Sequence, residues 1–141
     1  MGRLLRVCLG IAIVVAALLA PAEAAQPLLV GDWYGESQPK DPNVYWVAHV
    51  APDGRFTAIF RFCRGRSAID VFEDGIWTYA NKVAVLVTLS VNGRATQESD
   101  RYDTLSYDGH KHVYRHERTG FVFTGIRVAP GFEVPPCSLS S

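Results

Sequence analysis

Five dipeptides punctuate this chain: Asp53-Gly54, Asp74-Gly75, Asn92-Gly93, Asp108-Gly109 and Thr119-Gly120. Each separates short runs rich in Val, Ile, Phe, Tyr and Thr. Asn-Gly and Asp-Gly supply the positive backbone angles that tight hairpins need, and β-branched and aromatic residues suit a pleated, half-buried surface. Punctuation of this kind leaves no room for long helices. It predicts an all-β, antiparallel up-and-down meander, whose simplest closed form is a barrel of about eight strands. The strands are expected over residues 30–37, 43–51, 55–63, 68–79, 82–91, 95–107, 110–118 and 120–128. Asp74-Gly75 is read as a bulge that bends one long strand, because the piece before it, 68–73, is short for a strand of its own. Three prolines argue against a helix in residues 129–136.

Alternation divides these strands into two faces. Phe56, Ala58, Phe60 and Phe62 share one face, with Arg55, Thr57 and Arg61 on the other. Val44, Trp46, Ala48 and Val50 form a second such face, and Phe121, Phe123, Gly125 and Arg127 a third. The run from Val83 is apolar on both faces in its first half. Such a strand needs cover outside as well as inside, from the C-terminal tail or from a second copy in a homodimer.

The N-terminus is predicted to be a targeting segment. Arg3 and Arg6 form a basic start, residues Val7 to Ala20 are almost wholly apolar, and Ala22-Glu23-Ala24 fits a small-x-small cleavage site. The apolar run is too short for a comfortable bilayer span and no later run approaches one, so no membrane span is expected once the signal is removed. Removal of residues 1–24 leaves 117 residues, a single domain over 25–141. The expected location is periplasmic or secreted. Cys8 leaves with the signal, and the remaining Cys63 and Cys137 are expected to pair, tying the Pro135-Pro136-Cys137 tail to the end of a strand. The mature part carries 12 basic and 13 acidic side chains. That balance argues against nucleic acid or anionic lipid as the main partner.

Gly31-Asp32-Trp33 opens the first strand and Gly75-Ile76-Trp77 repeats its spacing. Residues two apart share a face, so each glycine leaves room beside an indole, and Gly35 flanks Trp33 on its other side. A closed barrel pairs its first and last strands, which places Arg127 where it can stack on Trp33 as a structural pair. In this Gly-x-Trp, the late Arg127 and the meander between them, the chain resembles the short, divergent lipocalin-like families of the calycin group. The resemblance spans Val30 to Val128. Asp100-Arg101-Tyr102 loosely echoes the middle lipocalin motif, and the helix that follows the last strand of many full-length lipocalins has no counterpart. The resemblance implies an up-and-down barrel, often with a small apolar ligand inside. It also implies that Trp33 and Arg127 are structural and close one end.

Trp46, Phe56, Phe60, Phe62, Phe121 and Phe123 lie on the faces assigned inward, and are the expected walls of a ligand site. Tyr107, His112 and Tyr114 are its expected polar handles. The rival arrangement is a barrel filled by its own side chains, since eight strands enclose little more than that. His110, His112 and His116 share strand parity with Tyr114 and are read, beside Lys111, Arg115 and Arg118, as solvated histidines on a wet hairpin face. No cysteine or carboxylate stands at metal-site spacing near them, so neither a metal nor another cofactor is expected. Asp100 and Asp103, and Asp70 with Glu73 and Asp74, are carboxylates near turns and are read as solvated caps. No nucleophile elbow, phosphate loop or Cys-His signature is present, so the chain is not read as an enzyme.

The expected function is therefore an exported lipocalin-like barrel that binds a small apolar or amphipathic molecule. A cell-envelope interaction or inhibitor module is the alternative. It would have a self-filled core and would act through a loop or the apolar outside of strand five, with a patch including Ala84 or Leu86. An enzyme of lipocalin-like shape is the third reading, and it would need a buried ionisable pair inside the barrel.

Overall fold

The computed structural model describes residues 27–36 and 41–138. The predicted export signal, Cys8 and the predicted strand end at Ser37 lie outside the described residues. Eight strands follow one another: β1 (Gly31–Glu36), β2 (Val44–Val50), β3 (Arg55–Arg64), β4 (Ser67–Ala80), β5 (Val83–Val91), β6 (Arg94–Tyr107), β7 (Lys111–His116) and β8 (Val122–Val128). Each is hydrogen-bonded to the next, and β8 returns to β1, so the sheet closes into an antiparallel barrel. All eight strands begin and end within two residues of the predicted spans. Local turn chemistry explains this: Asn92 and Gly93, for example, both take the positive φ of a tight hairpin turn, at 50° and 75°.

No hairpin forms at Asp74-Gly75: β4 runs through it without a break, and its register with β5 shifts there in a bulge whose extra residue is Leu89 of β5. A side chain at Gly75 would collide with the Val87 carbonyl oxygen, so the backbones meet too closely for any other residue. Two further register shifts, at Thr88/Ser90 in β5 and Thr104/Ser106 in β6, carry no comparable sequence signal.

A 3-10 turn at Pro27–Leu29 precedes β1 and closes the floor, where Leu29, Trp33, Trp77 and Tyr79 are buried. The Trp33 indole N–H donates to the Leu29 carbonyl at 2.8 Å, and that of Trp77 to the Ala51 carbonyl at 3.0 Å. Arg127 ties the floor together. Its guanidinium donates to the carbonyls of Val30 (2.6 Å), Leu28 (2.9 Å) and Gly109 (2.9 Å) and to the Tyr107 hydroxyl (3.0 Å). At the opposite end, Ile69 of β4 and Phe62 of β3 are paired with inward parity, yet Ile69 is 60% exposed. Inward-facing Glu98 of β6 is exposed there too, so this end opens to solvent.

The C-terminal tail straps the outside of the barrel. Phe132 packs on Tyr34 of β1 with ring centroids 5.4 Å apart, and Arg61 of β3 donates to the carbonyls of Val134 and Pro135. A Cys63–Cys137 disulfide then pins the strap to the end of β3. The tail therefore covers β1 and β3, not β5 as one expectation had it. β5 presents half-buried Val83, Val85 and Val87 outward, and its Ala84 and Leu86 face the interior. Among the described residues no helix is long and apolar enough to cross a membrane.

Candidate functional site: a cavity inside the barrel

The barrel is not filled. A cavity of ≈ 210 Å³ lies between the floor and the open end. The glycines explain much of its shape. Gly31 and Gly35 were expected to leave room for Trp33 in their own strand, and the structure assigns that room across strands instead. Gly35 pairs with Trp46 of β2 and also with Gly125 of β8, and the Trp46 indole lies over both glycines. Gly31 admits the guanidinium of Arg127, and Gly75 admits the ring of its cross-strand partner Phe56. Cross-strand neighbours stand closer than same-strand residues two apart, so a large ring takes the space of the glycine beside it.

Six of the nine residues expected to line a ligand site border this cavity: Trp46, Phe56, Phe60, Phe123, His112 and Tyr114. The other three lie outside the lining. Phe62 has the right parity but sits beyond Phe60, toward the rim. Phe121 falls in the β7–β8 connection, because β8 begins only at Val122. Tyr107 belongs to the floor, where its hydroxyl accepts from Arg127 and its ring lies 6.3 Å from Trp33. The expected Trp33–Arg127 pair is formed, with the guanidinium carbon 4.4 Å from the indole centroid.

Sequence reasoning missed the polar side of the cavity. Glu73 and Asp100, expected to be solvated caps, both line it. Glu73 shares strand parity with Trp77, and Asp100 with Tyr102, and all four face inward. That shared parity was the signal available. His112 and His116, expected to be solvated, are each only 7% exposed because their common face with Tyr114 points into the barrel. Only His110 of the three is exposed.

These polar groups divide into two kinds. Some are tied into the protein. His112 Nε2 lies 2.9 Å from the Thr104 hydroxyl, which also accepts from Tyr79. Burial lowers the His112 pKa to about 4, so the ring is uncharged at neutral pH. Asp100 accepts from Arg118 and from His116 Nε2, both at 2.9 Å, while His116 Nδ1 accepts from the Thr119 backbone N–H. This arrangement anchors the β7–β8 connection at the open end. Others are free. Among the described residues no donor reaches the Glu73 carboxylate. Its pKa is raised by burial and then by the nearby carboxylates Glu98 and Asp100. Tyr114 is enclosed in protein and stacks between His112 (4.8 Å) and Phe123 (5.5 Å), but its hydroxyl has no hydrogen-bond partner and opens on the cavity. Tyr102, edge-on to Tyr114 at 5.5 Å, likewise carries an unpaired hydroxyl. Burial holds both phenols above their ordinary range.

Three tryptophans are present in the sequence, and all three line the cavity. Among the described residues no group of three or more His, Cys, Asp or Glu is arranged to hold a metal ion. No protein-family model matches this chain, and no curated protein matches it significantly. The all-β closed barrel and its disulfide therefore stand on the structure alone.

Proposed function

We propose that this chain is an exported lipocalin-like barrel that holds a small apolar or amphipathic molecule. The cavity, floored at one end and open to solvent at the other, carries this reading. Its walls include Trp33, Trp46, Phe56, Phe60 and Trp77, and a ligand of matching shape would cover their apolar surface in place of water. Its volume lies below the range of about 300–1,000 Å³ usual for drug-sized ligands, which favours a short chain or one or two rings. Each Å² of apolar surface the ligand buries would contribute roughly 25 cal/mol. The disulfide fits an oxidising compartment, periplasmic or extracellular.

The interaction-module alternative named a patch including Ala84 or Leu86, and these two line the cavity; the outside of β5 presents Val83, Val85 and Val87 instead. The enzyme reading gains two carboxylates on the cavity wall, but Asp100 is occupied by His116 and Arg118. Binding without chemistry is the simpler assignment.

Calorimetric titration with octan-1-ol, an uncharged probe of suitable size, tests the proposal. One molecule is expected to bind per chain and to change the tryptophan emission. Ala58→Phe places a ring in the cavity and is expected to weaken binding at least about tenfold with the circular dichroism spectrum unchanged. Binding that survives Ala58→Phe at full strength would show that the probe sits elsewhere. Mass spectrometry of an organic extract of the exported protein would identify a retained ligand.

A further inference from the structure

We infer that the barrel selects a positively charged ligand: an organic ammonium ion, its apolar body among the tryptophans and its charge beside Glu73. The inference rests on the cavity-binding proposal and goes beyond it by assigning the sign of the ligand's charge.

Three observations on different strands converge. The first is Glu73 on β4, a carboxylate that lines an otherwise apolar chamber and has neither an ion pair nor a hydrogen-bond donor among the described residues. A half-buried charge without a partner is costly, and a cation brought by the ligand would supply what the protein withholds. The second is the pair of free phenols. Tyr114 lines the cavity and its hydroxyl has no protein partner, and that of Tyr102 beside it is also unpaired. Neither hydroxyl is sealed from solvent, so both are reachable by a ligand, and a phenol oxygen accepts readily from an ammonium N–H. The third is the aromatic surface itself. Trp46 and Tyr102 line the chamber that Glu73 lines, and aromatic ring faces attract cations and repel anions.

The remaining charged and titratable groups at the chamber agree in sign. Glu98 and Asp100 act on Glu73 from β6, and both are acidic. The guanidinium of Arg118 is turned onto Asp100 and is mostly in solvent. His116 is held between Asp100 and Thr119. His112 is uncharged at neutral pH. Arg127 lies below the floor, spread over three carbonyls and the Tyr107 hydroxyl. A carboxylate ligand would therefore meet Glu73 with no free cation inside to offset it, whereas an ammonium group would meet an unpaired carboxylate, two phenol oxygens and aromatic faces.

A matched set of probes separates charge from hydrophobicity: octylamine, octan-1-ol and octanoate, titrated at pH 7 into the purified, disulfide-bonded protein. Octylamine is expected to bind about tenfold or more tighter than octan-1-ol, the range a charge-assisted hydrogen bond provides, and octanoate weakest. In Glu73→Gln, which keeps the shape of the side chain, the amine-to-alcohol ratio should fall to near one. Equal affinity for the amine and the alcohol in the unaltered protein, or tighter binding of octanoate, would overturn the charge assignment and leave the cavity proposal standing. Failure of all three probes to bind would overturn both. An amine preference that persists unchanged in Glu73→Gln would also overturn the role given to Glu73.

Discussion

The guanidinium carbon of Arg127 lies 4.4 Å from the centroid of the Trp33 indole, and the two residues are directly paired across the β1–β8 seam. The stack joins the first and last strands, and the same guanidinium holds the 3-10 turn through the Leu28 and Val30 carbonyls. One side chain thus closes both the sheet and the floor.

Replacing Arg127 should open that closure. Lysine keeps the charge but cannot reach four acceptors with a planar fork, so Arg127→Lys is expected to lose nearly as much as Arg127→Ala, about 2–4 kcal/mol in urea unfolding. Full stability in Arg127→Lys would show that charge alone suffices.

Gly35→Ala should be damaging for a different reason. The added methyl would overlap the Trp46 indole, which must then move toward the cavity. A loss of about 1–3 kcal/mol is expected, as for other overpacked interiors, together with weaker octan-1-ol binding. Unchanged binding in the variant would mean that the indole moves away from the chamber.

His112 predicts a pH effect with a definite sign. Its folded pKa is about 4, below the ordinary 6.5, because burial disfavours the charged ring. The unfolded chain therefore takes up this proton first as the pH falls. Stability from this site is complete above about 6.5 and is lost between there and about 4. Thermal unfolding followed from pH 7 to pH 4 should show a falling Tm, and His112→Gln should flatten that decline.

Glu73 works in the opposite direction. Its pKa is raised by burial and by Glu98 and Asp100. The proton it holds favours the folded state below the ordinary carboxylate range of about 4.3, and that contribution disappears as the pH climbs through the raised value. Glu73→Gln is therefore expected to raise Tm at pH 7 by a few degrees, where about 1 kcal/mol corresponds to ~4–8 °C. The gain should shrink at pH 4. A lower Tm at pH 7 would reveal a structural partner for this carboxylate.

The disulfide spans 74 residues of chain. On the chain-entropy account, a loop of that size stabilises by about 4–5 kcal/mol. The double replacement Cys63→Ala, Cys137→Ala should lower stability by roughly 2–5 kcal/mol in denaturant titrations while leaving the probe affinities intact, since neither cysteine lines the cavity. Loss of ligand affinity in that variant would show that the strap shapes the interior.

The strands were legible because their causes are local. Asn92-Gly93 turns the chain by its own backbone preference, and Phe56, Ala58, Phe60 and Phe62 declare a common face by alternation alone. That β4 continues through Asp74-Gly75 was legible for the same reason. The site was only half legible. Alternation groups His112, Tyr114 and His116 on one face but does not say which face turns inward, and charged neighbours suggested the wrong one. Glu73 and Asp100 stood near turns in the sequence, and only the pairing of β4 with β3 and of β6 with β5 places them beside Trp77 and Tyr102. Phe62 was assigned correctly to a parity but lies beyond the chamber, and Phe121 falls in a connection where alternation no longer applies.

Turn chemistry and alternation, which act over a few residues, determined by themselves that this chain is a run of eight antiparallel strands with one wet and one covered face. Closure of β8 onto β1 decided the rest: that the covered faces enclose a void, that the Trp46 ring crosses to Gly35 and Gly125 instead of filling it, and that an unpaired carboxylate and two free phenols look into it. Those features depend on distances between residues far apart in the chain, and no local preference encodes them.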